Sequence, residues 1–291
     1  IINEFPIGSK KINELMAPLL LEINKNYILK NKLFSAEFLT TLSDDVVVTL
    51  IYHKPVDEDW KKEATKLHTK FMINIIGRSR KKKLIIGHDY VVEKLHIDGI
   101  DYHYKQIENG FTQPNARINQ AMLSWTLRQT KKCGDDLLEL YCGNGNFTCV
   151  LSRNFKKVLA TEVSKASVKA AHFNLEKNNI GNVKICRMSS EEITSALNKV
   201  RKFHRLKNID LNTYKLNSIF VDPTRAGLDE KTLNLLKKFK NILYISCNPK
   251  TLQENIQEIS DTHSIKSFAV FDQFPYTDHL ECGVLLQLKN I

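Results

Sequence analysis

No apolar run in this chain is long enough to span a membrane as a helix, which argues against a transmembrane role. The opening IINEFPIGSKK lacks the apolar core of a signal peptide, and its first residue is Ile1 instead of Met. The chain therefore reads as a fragment whose true beginning is missing. Its six cysteines (Cys133, Cys142, Cys149, Cys186, Cys247 and Cys282) form no C-x-x-C pair and no grouping with histidine at zinc spacing, so no metal is expected. Scattered thiols without a secretion signal point to a reduced, cytoplasmic compartment. Internal repeats and low-complexity tracts are absent as well.

What is present is a globular composition, 42% apolar and 26% charged over 291 residues, with room for one large domain or two ordinary ones. A formal net charge of +11 makes a polyanionic partner plausible, although a lysine-rich composition and a solvated charged face would give the same number.

Two patterns divide the chain. Up to about residue 108 it is an α+β mixture. Ile12, Leu15, Met16, Leu19, Leu20 and Ile23 fall at helical spacing over 9–25, AEFLTTL and VVVTLIYH flank a Ser-Asp-Asp turn, and DEDWKKEATKLHTKFM reads as a second helix. Short strands follow at INIIG, KKLIIG, DYVVEKL and IDYHYKQI. Beyond about residue 116, strands alternate with helices. DLLELY, KVLATE, VKICRM, NSIFVD and ILYISC are separated by helical segments, which implies a parallel sheet with helices on both faces.

Within the second region, LLELYCGNGNF is a strand running into a turn with Gly143 and Gly145. Glycine lets the backbone turn sharply and lets a ligand approach closely. Thr148 stands where a dinucleotide fingerprint would have its third glycine. Glu162 ends the next strand, seventeen residues beyond Gly145, where a carboxylate can accept both hydroxyls of a ribose. The pair suits an adenosine-containing ligand, NAD or S-adenosylmethionine. The missing glycine favours the latter, which has no pyrophosphate to cradle. Asp222 closes NSIFVD and Cys247 closes ILYISC, so all these residues share the carboxyl rim of the sheet, where open α/β sheets bind ligands.

A free cysteine at a strand end is ordinarily a small buried residue. On this rim it has a chemical use. Carbon 5 of a pyrimidine is too poor a nucleophile to take a sulfonium methyl directly, and a thiolate adding to carbon 6 turns it into an enolate equivalent. A base must then remove the carbon-5 proton. The helix starting near PKTLQENI would favour the Cys247 thiolate, and Glu281, just before an apolar C-terminal strand, is a candidate acid.

FTQPN, LLELYCGNGNF, ATE, FVDPTRAGLD, YISCNP and FDQFPYTDHLECGVLL resemble, in order and spacing, the tRNA (uracil-5-)-methyltransferases of the TrmA type. The resemblance runs the whole length of the chain. It implies an α/β, Rossmann-like S-adenosylmethionine-dependent methyltransferase domain over 109–291, preceded over 1–108 by an α+β RNA-binding region incomplete at its start. The implied reaction is methylation of carbon 5 of the T-loop uridine, tRNA position 54, giving 5-methyluridine in the cytoplasm. Matched motif by motif, Gln113, Tyr141, Asn146, Glu162 and Asp222 would bind S-adenosylmethionine. Cys247 would be the nucleophile and Glu281 the proton acceptor, while Phe34, His53 and Arg225 would contact RNA. The partner implied is the T-arm of tRNA, with no metal, membrane or obligate protein partner.

Two departures stand out. Thr224 replaces the second proline of the family's Asp-Pro-Pro-Arg, and the family carries further basic N-terminal sequence. The alternatives at this point are a 23S rRNA uracil-5-methyltransferase, whose relatives often carry a cysteine-ligated cluster for which no grouping exists here, and a non-catalytic RNA-binding or tRNA-folding module.

Overall fold

The helical and alternating patterns resolve into two units in the computed structural model, which describes residues 4–289. One unit holds the chain up to Lys94 together with Lys105–Phe111, and the other holds Leu95–Tyr104 together with the chain from Thr112 onward. The division thus falls across a hairpin, not at a single point.

In the first unit, Ser9 caps α1 (Lys10–Lys25) by accepting the Ile12 N–H, and the helix buries Leu15, Leu19 and Ile23 at four-residue spacing. After the short α2 (Tyr27–Lys30), β1 (Leu33–Thr40) and β2 (Val46–Tyr52) pair antiparallel. The helix α3 (Glu58–Phe71), capped by Asp57, crosses over to β3 (Asn74–Ser79), parallel to β2, and β4 (Lys82–Ile86) returns antiparallel. Trp60, fully buried, sits in the core under this four-stranded sheet with Leu50 and Ile75. β5 (Tyr90–Ile97) and β6 (Ile100–Ile107) form the hairpin at the division. Its Asp98-Gly99 turn has φ of +44° and +85°, the left-handed pair that a two-residue hairpin loop requires.

The second unit begins with α4 (Ala116–Thr130), followed by β7 (Asp136–Leu140), α5 (Asn146–Leu151), β8 (Lys157–Thr161), α6 (Lys165–Lys177) and β9 (Val183–Cys186). Then come α7 (Ser190–Leu197), β10 (Leu216–Val221), α8 (Glu230–Leu236), β11 (Asn241–Ser246), α9 (Pro249–Ile259), β12 (His263–Phe271) and β13 (Glu281–Leu288). The seven strands lie in the order β12-β13-β11-β10-β7-β8-β9.

The five strands read from the sequence are mutually parallel, and each is a nearly continuous apolar run because both faces are covered. Successive side chains divide between two cores. Leu137, Val158, Phe220 and Leu243 pack on the α4–α5–α6 side, and Leu138, Leu159, Ile219 and Ile242 pack on the α7–α8–α9 side.

The sheet is not wholly parallel. β13 runs antiparallel to both β11 and β12. β12 carried no clear signal in the sequence because, as an edge strand, it leaves Ile265, Phe268 and Val270 more than half exposed. That reversal brings Glu281, the first residue of β13, to the same rim as the carboxyl ends of the parallel strands.

Candidate active site

The turn after β7 takes its shape from three left-handed residues, Tyr141 (φ +60°), Gly143 (φ +56°) and Gly145 (φ +82°). Gly145 is the position where glycine matters most. Besides the φ, a Cβ there would already touch Ala171 Cβ at 3.4 Å, so the turn packs directly on α6. Glu162, at the end of β8, joins this turn to the next helix. Its Oε2 accepts the Gly143 N–H at 3.0 Å and its Oε1 accepts the Ser164 N–H at 2.7 Å, leaving each oxygen further acceptor capacity.

Tyr141 and Glu162 line a cavity of about 490 Å³ at the carboxyl end of the sheet, together with Ser190, Pro223, Leu228 and Asp229. That volume lies within the range of small-molecule sites. The Tyr141 hydroxyl donates to Ser190 Oγ at 3.0 Å, which pins the ring to the wall formed by α7. An adenosine with a short charged tail fits this donor set. A carboxylate with acceptor capacity to spare, a glycine turn open to close approach and an apolar-walled cavity are all present.

Not every residue expected to bind the cofactor lines that cavity. Asn146 exchanges two amide hydrogen bonds of 2.9 Å with Asn119, and its carbonyl accepts from the Tyr104 hydroxyl. Gln113 accepts from Gln273 Nε2 at 2.6 Å. Asp222 sits one residue before the cavity-lining Pro223.

Beside the cavity lies a second group. Ser246 registers with Cys282 across the β11–β13 pair, so Cys247 follows directly opposite Glu281. Cys247 is half-buried and immediately precedes Asn248, the N-cap of α9, whose Oδ1 accepts the Lys250 N–H. The same Asn248 donates its Nδ2 to the Arg225 carbonyl at 3.0 Å, tying the cysteine loop to the Asp-Pro-Thr-Arg loop after β10. That loop is closed by the Gly227 N–H donating to the Thr224 carbonyl at 2.9 Å.

The charges in this group act on one another. Burial pushes Glu281, only 4% exposed, up to about 7, with Arg225 opposing the shift. Burial and the charge of Glu281 push Asp222 well above the usual carboxylate range. The Cys247 thiol is raised by burial and by both carboxylates, against the pull of Arg225. A thiol, a carboxyl poised near neutrality and one arginine thus converge at one strand end, the constellation that nucleophilic addition followed by proton removal requires.

One acidic residue escaped sequence reasoning. Glu139, inside the fully buried β7, makes no hydrogen bond of regular geometry through either carboxyl oxygen among the described residues, with only the nearby Thr148 hydroxyl opposing the effect of its burial. Burial, with the charge of Asp222 adding, pushes it up to about 8. The available signal was an acid inside the otherwise apolar run LLELY. A carboxyl held protonated in the fold but free to ionise when unfolded near 4.5 costs stability progressively as pH rises from there to about 8. Glu139→Gln is therefore expected to match the wild type in stability near pH 5 and to exceed it by several kcal/mol at pH 9, since each tenfold change in proton affinity is worth about 1.4 kcal/mol. Urea denaturation at the two pH values measures this; a stability difference independent of pH would refute it.

The expected RNA-contacting aromatics lie in the other unit. Phe34, 67% exposed, and His53 meet edge to face with ring centroids 4.5 Å apart, where β1 begins and β2 ends. Arg225 is exposed on the loop after β10. Among the described residues no group of three or more His, Cys, Asp or Glu could hold a metal ion, and no helix is long and apolar enough to cross a membrane.

Comparison with known proteins is consistent from one source to the next. The family profile described as tRNA (Uracil-5-)-methyltransferase matches residues 1–289. The chain is 56% identical over 288 residues to the tRNA/tmRNA (uracil-C(5))-methyltransferase of Cellvibrio japonicus, covering 99% of this chain and 79% of that protein. It is 57% identical over 286 residues to the protein of the same description from Saccharophagus degradans, covering 98% and 78%. Among solved structures, the Pyrococcus abyssi tRNA (uracil-54, C5)-methyltransferase in complex with S-adenosyl-L-homocysteine superposes with a TM-score of 0.70 at 21% identity, over 98% of this chain and 69% of that one, a likeness of fold.

Proposed function

Because the chain belongs to the tRNA (uracil-5-)-methyltransferase family, we propose that it methylates carbon 5 of the T-loop uridine of tRNA, position 54, with S-adenosylmethionine as methyl donor and Cys247 as covalent nucleophile. The observation that carries this reading is the register that sets Cys247 opposite the buried Glu281 beside the cavity of Tyr141 and Glu162.

When bound, S-adenosylmethionine supplies an electrophilic methyl group on its sulfonium sulfur. Glu162 would accept its ribose hydroxyls, Tyr141 would wall its adenosine, and Gln113, Asn146 and Asp222 would complete its surroundings. Cys247 Sγ forms a bond to carbon 6 of the uracil, and the carbon 5–carbon 6 π pair moves toward carbon 5 as an enolate equivalent. The N-terminus of α9 favours the thiolate, offsetting part of the rise imposed by burial and the neighbouring acids. Once carbon 5 carries the methyl group, Glu281 accepts the proton from that carbon. The carbon 5–carbon 6 double bond re-forms, and the sulfur–carbon 6 bond breaks with its electron pair returning to Cys247.

The T-loop uridine must leave its folded loop to reach this site. Phe34 and His53 in the first unit, and separately Arg225 in the second, would offer ring and guanidinium surfaces of the kind on which unstacked bases rest. Nucleoside analysis after incubation with tRNA, rRNA and S-adenosylmethionine tests the target. One 5-methyluridine per tRNA, mapped to position 54, is expected; 5-methyluridine in rRNA alone would overturn the assignment.

A further inference from the structure

FDQFPYTDHLECGVLL contains a deeply buried polar side chain with no role so far, Gln273. It lies two residues beyond Phe271, the residue of β12 that registers with Glu281, and only 2% of it is exposed. Its Nε2 donates to Gln113 Oε1 at 2.6 Å, a short bond that joins the end of β12 to the FTQPN segment leading into α4. Its own Oε1 is buried without a hydrogen-bond partner among the described residues. A buried amide oxygen left unpaired costs free energy, and such groups call for a reason other than stability. Gln113 itself is only half-buried, so water could satisfy it without Gln273.

We propose that Gln273 is a positioning residue. By occupying Gln113 Oε1 it holds the Gln113 carboxamide in one orientation, with Nε2 as the group left for the ligand, so that Gln113 meets the cofactor as a hydrogen-bond donor. A carboxamide that could turn over would offer donor and acceptor alternately, and a ligand acceptor would then bind only the fraction turned correctly. This rests on the proposed cofactor role of Gln113.

The test is calorimetric binding of S-adenosylhomocysteine to the full chain, with thermal melts of the same samples. Gln273→Met keeps the volume, removes the donor and removes the orphaned oxygen. It is expected to weaken binding about tenfold with no fall in Tm. Gln113→Met is expected to weaken binding by about the same factor, and the double variant no further, because both changes remove one interaction.

Gln273→Glu supplies the readout that a packing role would not move. When protonated, the new carboxyl can donate its O–H to Gln113 Oε1 and restore binding. When ionised it can only accept, and binding falls as pH rises. Binding by Gln273→Met equal to the wild type, multiplication of the two losses in the double variant, a fall in Tm parallel to the loss of binding, or a pH-independent Gln273→Glu would each overturn the proposal. A wild type that does not bind S-adenosylhomocysteine overturns instead the functional reading on which it rests.

Discussion

Cys247→Ala is expected to abolish methylation of a T-arm RNA, by about 10⁴-fold or more, and to abolish the denaturation-resistant complex expected of the wild type with a 5-fluorouridine T-arm and S-adenosylmethionine. The size of the effect follows from the chemistry. Without a thiolate at carbon 6, carbon 5 has no enolate character, and the barrier rises by at least about 5 kcal/mol at 1.36 kcal/mol per tenfold. Fluorine at carbon 5 cannot leave as a proton does, so the adduct is trapped only if the covalent bond forms first. Cys247 is half-buried at a strand end, and removal of its sulfur leaves both cores intact, so the variant should melt near the wild-type temperature. A shifted band that survives Cys247→Ala on a denaturing gel would exclude the covalent role.

Glu281→Gln separates the two halves of the reaction. Methyl transfer in a single turnover should persist while steady-state turnover falls by about 10²- to 10⁴-fold, and the methylated RNA should accumulate as a covalent complex. With Glu281 as the proposed base, release from the wild type would need its carboxyl ionised. With its carboxyl pushed up to about 7 by burial, turnover should rise as pH increases through neutrality, and the glutamine variant should lose that limb. The same shift has the opposite sign for stability. The folded state holds the proton between about 4.5 and 7 while the unfolded chain has released it, so the fold loses stability as pH rises through that window. Activity and stability thus move in opposite directions over one interval, and Glu281→Gln should flatten both. Rapid turnover by the variant, with no trapped complex, would exclude Glu281 as the base.

Much of this site was legible because its parts stand where local rules place them. Glu162, Asp222 and Cys247 each follow directly on a strand of nearly unbroken apolar residues, and Gly143 and Gly145 lie in the turn just beyond another, so they can be found from hydrophobic runs and turn residues alone. Other parts depend on neighbours remote in sequence. The Asn248 bond to the Arg225 carbonyl, the Tyr141 bond to Ser190 and the Gln273 bond to Gln113 span 23, 49 and 160 residues, and no local pattern marks them. β12 was illegible for a different reason. An edge strand that turns Phe268 and Val270 to solvent and Ala269 and Phe271 to the core shows no apolar–polar alternation, and its apolar run is too short to mark a buried strand.

The sequence by itself determined the α/β character of the second unit, the glycine turn and the acids and thiol at its strand ends, because these follow from short-range periodicity and backbone freedom. Only the tertiary structure decided which of them act together. Reversal of β13 against β11 carries Glu281 back to the rim and sets it opposite Cys247. Closure of both cores over the sheet then removes Glu281 from water and lifts its carboxyl to neutrality. Register and desolvation are properties of packed neighbours, and a carboxyl becomes a base poised at neutral pH only after the chain has surrounded it.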